Sequence, residues 1–328
     1  MRSTFLKTVA FLGVLAVLSA ASALLATPKP TEKANIDEKV FVTSFYPVYI
    51  AAKNVTADVK GVTVTNLTGE QTGCVHDYQL TPENAIALEQ ADAVILNGAE
   101  AELFLNDALA ARPNLPCIDC SAGNVELLAS NHEHHHHGDE DEHEITEEEF
   151  REATSDTFNV NSHVWTGPNR YEEQIHNLCE GLCLVDPGNA AAYRQNAAAY
   201  IEKIHQTADA LKTAADTLPT KNVVIFHDSL AYFADEMGLN VVASLSVGED
   251  SGVPSDELVE AAEEIKEAGD VLFLYDKQYA DLSYESLAEN ADRCVSLTID
   301  CATTGADDAN AWLAAMENNA KTLTGVTF

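Results

Sequence analysis

Short apolar runs alternate with stretches of helical spacing along most of the chain. The apolar runs have the length and β-branched content of strands, and they occupy residues 40–45, 62–65, 93–96, 223–226, 241–244, 271–275 and 295–299. Between two of them, Thr81 and Pro82 form a typical helix start, and Ile86 and Leu88 give that helix a partly apolar face. This alternation predicts βαβ units and therefore an α/β fold with parallel sheets.

One segment in the middle of the chain breaks the alternation, because it contains no strand signal. Tyr193 and Ile204 lie on the apolar face of a single predicted helix, which Pro219 ends. A helix of this length spans about 45 Å at ~1.5 Å per residue, so we interpret it as a rigid linker between two α/β lobes. The predicted domains are an N-terminal lobe at 38–186, the linker helix at 187–218 and a C-terminal lobe at 219–328.

The first residues have the features of a secretory signal. Arg2 and Lys7 precede an apolar, uncharged run at 9–26 that ends in small residues. We predict a signal peptide at 1–26 and a tether at 27–37, and hence an exported protein, either periplasmic or tethered to the outer face of the cytoplasmic membrane. The run is also just long enough to cross a bilayer, so an uncleaved anchor is the alternative.

Composition and charge narrow the classes of function. The chain has 328 residues, 46% of them hydrophobic, which is enough to bury two cores. Its 53 Asp and Glu against 18 Lys and Arg give a formal net charge of -35. Such a charge repels phosphate backbones, so nucleic acid is not an expected partner. The same field concentrates cations, although acidity can also serve only to keep an exported protein soluble.

Seven cysteines follow the predicted signal, and export permits disulfides among them. They are Cys74, Cys117, Cys120, Cys179, Cys183, Cys294 and Cys301. Sequence alone does not fix their pairing. A zinc site made from the pairs Cys117/Cys120 and Cys179/Cys183 is a further hypothesis. The spacings of these cysteines argue against it, because they lack the short paired knuckles of zinc ribbons.

The segment 131–149 combines histidine with carboxylate at high density. Its histidines are His132, His134, His135, His136, His137 and His143. It has too few apolar residues to fold alone, and imidazole beside carboxylate attracts divalent cations. We predict an accessory metal-binding loop, with a solvated acidic linker as the alternative. His176 and His205 fall in helical stretches beside charged neighbours, where we expect surface positions.

Three other histidines lie at positions suited to a ligand site. His76 and His227 follow predicted strands, and His163 lies between flanking loops. Open α/β sheets bind ligands outside the carboxyl ends of their strands, and Asp300 follows the last predicted strand in the same way. Three imidazoles and a carboxylate form a tetrahedral set suited to zinc. A single histidine at a strand end can also be a capping or packing residue, which is the alternative for each.

Four stretches around these histidines carry a resemblance to a known family. They are 75–78 (VHDY), 163–165 (HVW), 186–190 (DPGNA) and 226–233 (FHDSLAYF). In this order they resemble the first-ligand, second-ligand, linker-helix and third-ligand motifs of the metal-binding solute-binding proteins of ABC importers. The similarity runs over nearly the whole predicted mature chain.

The resemblance implies two lobes with mostly parallel four-stranded sheets, flanked by helices and joined by one long rigid helix. It implies that His76, His163 and His227 bind the metal and that Asp300 is the fourth ligand. Histidine at the third position is typical of the zinc members of the family, and so is a histidine-rich acidic loop. The chain departs from the family pattern around Asp300, where Cys replaces a usual Pro, so Asp276 or a water molecule is the alternative fourth ligand.

The implied function is binding rather than catalysis. A monomeric receptor would capture Zn²⁺ between its lobes and deliver it to an ABC permease with a cytoplasmic ATPase. A manganese or iron receptor of the same fold is the nearest alternative. In other classes, a zinc hydrolase would leave an open position for water, and a surface adhesin would use metal only for stability. The run 132–136 matches H-E-x-x-H formally, but that motif works on a helix with an apolar face.

Overall fold

The computed structural model describes residues 38–69, 78–130, 160–245, 253–279 and 284–328. The predicted signal peptide and tether, His76 and the histidine-rich loop lie outside the described residues. Within these ranges, no helix has both the length and the apolar character needed to cross a membrane. The described residues belong to one unit, Glu38–Phe328, and the lobe boundaries stay predictions.

The first sheet is parallel, with the strand order β2-β1-β3-β4. Its strands are β1 (Lys39–Thr43), β2 (Val62–Asn66), β3 (Ala93–Leu96) and β4 (Cys117–Asp119), and its helices are α1 (Tyr46–Val55), α2 (Pro82–Gln90) and α3 (Asn106–Ala110). The hydrophobic pattern predicted the first three strands and missed β4, in which only Ile118 is buried. Helix α2 begins where predicted, because Thr81 and Asn84 form a reciprocal capping box.

The second sheet repeats this topology with the order β6-β5-β7-β8, again parallel. Its strands are β5 (Asn222–Ile225), β6 (Asn240–Ser244), β7 (Asp270–Asp276) and β8 (Arg293–Ile299). Helices α6 (Ala231–Met237), α7 (Ser255–Ala268), α8 (Glu285–Ala288) and α9 (Ala311–Leu323) accompany it. The two four-stranded parallel sheets confirm the predicted fold class.

The predicted long helix is present as α5 (Ala190–Asp216), preceded by a 3₁₀ turn at Pro187–Asn189. It packs against α4 (Pro168–Val185), α1 and α9, and so contacts elements that accompany both sheets. Helix α4 in turn approaches β4 closely at Gly181, where an added Cβ would lie 2.4 Å from Ile118 Cγ2. The long helix is therefore packed into the core along its length by neighbouring helices.

One hydrophobic core includes residues of both sheets, among them Phe41 of β1 and Leu272 of β7. At its centre, the ring of Tyr171 stacks on that of Trp312, with 4.5 Å between the ring centroids. Trp165 is 1% exposed and belongs to the same cluster. Burial of these rings holds the two halves of the described chain against each other.

Candidate metal centre

The strand order of the second sheet creates a crevice where the order reverses, between β5 and β7. The register pairs Ile225 with Leu274, so His227 and Asp276 lie level with each other beyond those partners. Parallel α/β sheets bind ligands at such switch points, outside the carboxyl ends of the strands. This topology puts an imidazole and a carboxylate side by side in the crevice.

His163 enters the same crevice from a different part of the chain, the segment that precedes α4. Its ring centroid lies 5.2 Å from that of His227, at an angle of 83°. The two residues are 7% and 9% exposed, respectively. Two of the three predicted imidazole ligands are therefore brought together, and His76 lies outside the described residues.

Asn161 orients His163 through its side-chain oxygen. Asn161 Oδ1 accepts the backbone N–H of His163 at 2.9 Å and lies 3.0 Å from Nδ1 of the same residue. A proton on Nδ1 would satisfy this contact and leave the Nε2 lone pair for a metal, as in many metal sites. Asn161 Nδ2 also donates to the carbonyl of Asp228 at 2.8 Å, beside His227. One amide thus links the segments that carry both histidines.

His227 is oriented by a backbone donor. Its Nδ1 accepts the N–H of Ser229 at 3.0 Å, which puts the proton of the neutral ring on Nε2. A metal at this ring must therefore displace either the Nε2 proton or the Ser229 N–H. The ring of Tyr279 stacks on the other side, with 4.6 Å between centroids. Zinc binding at His227 should consequently release a proton or rearrange this contact.

The space between the two histidines is a small cavity of about 10 Å³. Its described lining residues are His163, Trp165, His227, Ser229, Asp276, Gln278, Tyr279 and Thr303. A cavity of this size holds about one water molecule or one ion. The cavity between the described residues therefore has room for a bare metal ion.

The two candidate carboxylates differ in their surroundings. Asp276 is 3% exposed, and its oxygens accept Ser229 Oγ at 2.6 Å and the N–H of Gln278 at 3.0 Å. Asp300 lies outside the cavity lining, and its Oδ2 is 2.9 Å from Nζ of the exposed Lys277. Among the described residues, no lysine or arginine forms an ion pair with Asp276. A buried carboxylate without such a partner is stabilised by a metal cation.

Sequence reasoning missed the 3₁₀ turn after β7, which adds Gln278 and Tyr279 to the cavity wall. Gln278 Oε1 is buried and has no hydrogen-bond partner among the described residues. An amide oxygen can bind a metal or a metal-bound water. The only sequence signal for this turn was its position directly after a predicted strand.

The first sheet has the corresponding crevice between β1 and β3, and Glu102 occupies it. Its carboxylate accepts Ser44 Oγ at 2.7 Å and the backbone N–H groups of Asn97 at 2.7 Å and Gly98 at 3.1 Å. Asn97 Nδ2 donates to the carbonyl of Ser162 at 2.9 Å, next to His163. Glu102 therefore supports the segment that presents His163, without touching the cavity.

The described residues that flank the stretch 131–159 lie beside this site. Ala129 and Val160 form an antiparallel bridge, and Ser130 Oγ donates to Asp228 Oδ2 at 2.6 Å. Asp228 directly follows His227 in the chain. Both residues that border the undescribed stretch, Ser130 and Val160, therefore lie next to the candidate metal centre.

The remaining candidates are at the surface or around α4. His176 and His205 are about half exposed, as expected, and both lie beside Glu172, at 3.6 Å and 2.5 Å. Cys179 and Cys183 approach each other, with a carboxylate oxygen of Glu180 nearby. Cys117 and Cys120, which were proposed as ligands with them, do not belong to this described group, so the four-cysteine site is not formed.

Fold and site together define an α/β protein with two parallel four-stranded sheets and a small cavity lined by two histidines and a buried carboxylate. A family model described as "Zinc-uptake complex component A periplasmic" matches residues 41–326, and the chain belongs to this family. The family consists of metal-binding solute-binding proteins and not of enzymes.

Individual relatives agree with this assignment. The chain is 25% identical over 254 residues to the "Zinc-binding protein AdcA" of Streptococcus pyogenes serotype M3, covering 76% of this chain and 48% of the relative. It is 26% identical over 258 residues to the "Iron-binding protein YfeA" of Yersinia pestis, covering 77% of this chain and 74% of the relative. The chain thus spans about half the length of the streptococcal relative.

The fold itself is shared with solved structures. The crystal structure of ZnuA superimposes with a TM-score of 0.66 at 22% identity, covering 88% of this chain and 100% of that chain. At this identity the likeness establishes the fold. It confirms two parallel sheets linked by a long helix as the family architecture.

Glu102 generates a pH-dependent contribution to stability. Burial raises the pKa of Glu102 from 4.5 to about 7, against the opposing effect of its three donors. Because the folded state holds this proton more tightly than the unfolded state, the contribution favours folding at low pH and is lost as pH rises from 4.5 towards 7. With ~1.4 kcal/mol per pKa unit, the change is about 3 kcal/mol.

We therefore expect Glu102→Gln to remove this slope. Between about pH 4 and pH 8, the free energy of unfolding of the wild type should fall relative to that of the variant by about 3 kcal/mol. Denaturant unfolding of the metal-free protein at several pH values measures it. Asp107→Asn, at an exposed position in α3, is the matched control and should keep the wild-type slope. Parallel curves for Glu102→Gln and the wild type would contradict the prediction.

Proposed function

We propose that this chain is an exported zinc receptor that captures Zn²⁺ between its lobes and delivers it to an ABC permease with a cytoplasmic ATPase. The observation that carries the proposal is the convergence of His163 and His227 on a cavity of about 10 Å³ beside the buried Asp276. The zinc-binding name of the streptococcal relative supports the same ion. The receptor acts as a monomer.

The proposed ligands are His76, His163 and His227 with one carboxylate. Borderline imidazole ligands favour zinc over manganese, for which a larger share of oxygen ligands is suited. The iron-binding name of the Yersinia relative keeps an iron or manganese receptor as the competing function. Competition between Zn²⁺ and Mn²⁺ for the purified protein separates the two, because a zinc receptor should retain zinc at a large excess of manganese.

The size of the cavity argues against a hydrolase. A catalytic zinc site needs an open position and room for the substrate next to the activated water. The described cavity has room for about one ion, which leaves no space for a substrate beside a metal-bound water. We therefore propose reversible binding and release, without bond cleavage.

Replacing His227 should separate the proposed site from the surface histidines. His227→Ala removes one metal bond, and we expect zinc affinity to fall on the order of 100-fold or more, since loss of an outer-shell partner alone costs about 10- to 100-fold. Competition with a chromophoric chelator measures the affinity. His176→Ala, at a side chain 55% exposed, is the control and should keep the tight site. If His227→Ala left tight zinc binding unchanged, the assignment of His227 as a zinc ligand would be wrong.

The two carboxylates can be distinguished by paired variants. We expect Asp276→Asn to weaken zinc binding at least about tenfold, because it removes the buried charge that faces the ion. Asp300→Asn should change the affinity less than about threefold, since that carboxylate is engaged with Lys277 at the surface. Calorimetric titration of both variants decides the matter, and the opposite ranking would assign the fourth position to Asp300.

The histidine-rich segment is proposed to gather zinc near the mouth of the site and pass it inward. Its anchoring at Ala129, Ser130 and Val160 beside Asp228 supports this role. Binding there should be weaker than in the cleft, because a segment with so few apolar residues pays an entropic cost for ordering its ligands around an ion.

Deleting residues 131–144 should therefore leave one tight zinc site and remove only the zinc ions that bind with lower affinity. Calorimetry over a wide range of zinc-to-protein ratios resolves the two classes of site. The full chain titrated in parallel is the control for stoichiometry. If the shortened protein had no tight site, the segment itself would be the primary site.

A further inference from the structure

A second group of metal-ligating side chains lies on α4, away from the cavity between the histidines. Cys179 and Cys183 are one helical turn apart and are 4% and 6% exposed. Their sulfur atoms and one carboxylate oxygen of Glu180 all lie within 4.8 Å of one another. None of the three residues lines the histidine cavity.

The spacing of the two cysteines favours a shared metal ion over a disulfide. Side chains four residues apart on a helix have Cβ atoms about 5–6 Å apart. A disulfide needs about 3.5–4.5 Å between the Cβ atoms, so forming one here would distort the last turns of α4. Two thiolates on one tetrahedral zinc ion, at a Zn–S distance of about 2.3 Å, have sulfurs about 3.8 Å apart. The undistorted helix suits chelation.

The burial of Cys179 further disfavours a disulfide. Burial, followed by the neighbouring Cys183, raises the pKa of Cys179 to about 12. Little thiolate is therefore present at neutral pH, and thiol–disulfide exchange at this position is slow. A metal ion can still displace the two thiol protons, because two metal–sulfur bonds form as two protons leave to solvent.

The surroundings complete the group. Arg194 of α5 holds both carboxylate oxygens of Glu180, each at 3.1 Å, and so fixes the carboxylate near the sulfurs. Its positive charge would also stabilise the negative charge of two thiolates. Cys183 Sγ donates to the carbonyl of Ala190 at 3.6 Å, at the start of α5. Glu180 is exposed, so an ion can enter from solvent and keep a water as its fourth ligand.

We propose that Cys179, Glu180 and Cys183 form a second metal site, which takes a thiophilic divalent cation such as Zn²⁺ or Cd²⁺. This site is independent of the histidine cleft in position and in ligand chemistry. Soft thiolate ligands select such ions over manganese and magnesium, which prefer oxygen.

The test is a Cd²⁺ titration of the full chain, reduced and kept free of oxygen, followed by thiolate-to-metal charge-transfer absorbance. The wild type should develop the band of a two-thiolate site. Cys179→Ser and Cys183→Ser should each lose about half of it or more, and the double variant should lose all of it. A band that persists in the double variant, or that is absent from the wild type, overturns the proposal.

Two controls separate this site from the cleft. Cys301 lies beside the cleft, with its sulfur 3.5 Å from Ser229 Oγ, so Cys301→Ser should keep the band if the helix thiols produce it. His227→Ala should also keep the band while losing the cleft affinity. Failure of the cleft assignment and failure of the thiolate site therefore give different results.

A third variant leaves both thiols in place and guards against misfolding of the serine variants. Glu180→Gln should lower the Cd²⁺ affinity about tenfold. In the wild type, the apparent affinity should fall by up to about 100-fold for each pH unit that the pH is lowered, because two protons compete with the metal. An unchanged affinity in Glu180→Gln overturns the three-ligand site. A disulfide would be established instead by two results on protein isolated without reductant. The peptide that contains Cys179 and Cys183 would have a mass lower by two hydrogens, and the protein would bind Cd²⁺ only after reduction.

Discussion

Two buried indole groups join the segment that carries His163 to the C-terminal part of the chain. Trp165 Nε1 donates to the carbonyl of Cys301 at 2.8 Å, and Trp312 Nε1 donates to the carbonyl of Trp165 at 3.0 Å. Both side chains are almost completely buried, so each N–H depends on its protein acceptor. The segment that carries His163 is therefore held to the C-terminal part of the chain by two polar contacts inside the hydrophobic core, supported by the stacking of Tyr171 on Trp312.

The two sheets use the same topology for different purposes. Each has a crevice where its strand order reverses, and such crevices are the usual ligand sites of open parallel sheets. In the second sheet, His227 and Asp276 line a small cavity in the crevice. In the first, Glu102 fills it and accepts the backbone donors that an anionic ligand would otherwise meet. Ala99 and Glu100 have left-handed backbone conformations, and they lie in the turn that the hydrogen bond from the Gly98 N–H to Glu102 closes.

The sequence predicted those features that depend on local pattern. Alternating apolar residues located most strands, and His227 and Asp276 were recognised as strand-end residues because the strands before them have strong hydrophobic runs. Strand β4 was missed because a strand with one buried residue has no periodic signal. Glu102 was missed because a single buried carboxylate in a loop looks like any surface glutamate until its partners from β1 and β3 are known. Gln278 was missed for the same reason, since its place in the cavity wall depends on a turn set by tertiary packing.

The shared core also limits how a bound ion could be released. Exposing Trp165 and Trp312 by swinging the two sheets apart would uncover about 150–250 Å² for each ring. At about 25 cal/mol per Å², the two rings together account for roughly 8–12 kcal/mol, and the two indole hydrogen bonds add to this. That is comparable to the whole stability of an ordinary domain, about 5–15 kcal/mol. An opening of this kind would nearly unfold the protein. If the ion binds at the proposed site, we therefore expect its release to involve the segments at the carboxyl ends of the strands, such as the turn with Gln278 and Tyr279, while the helices α4, α5 and α9 stay packed.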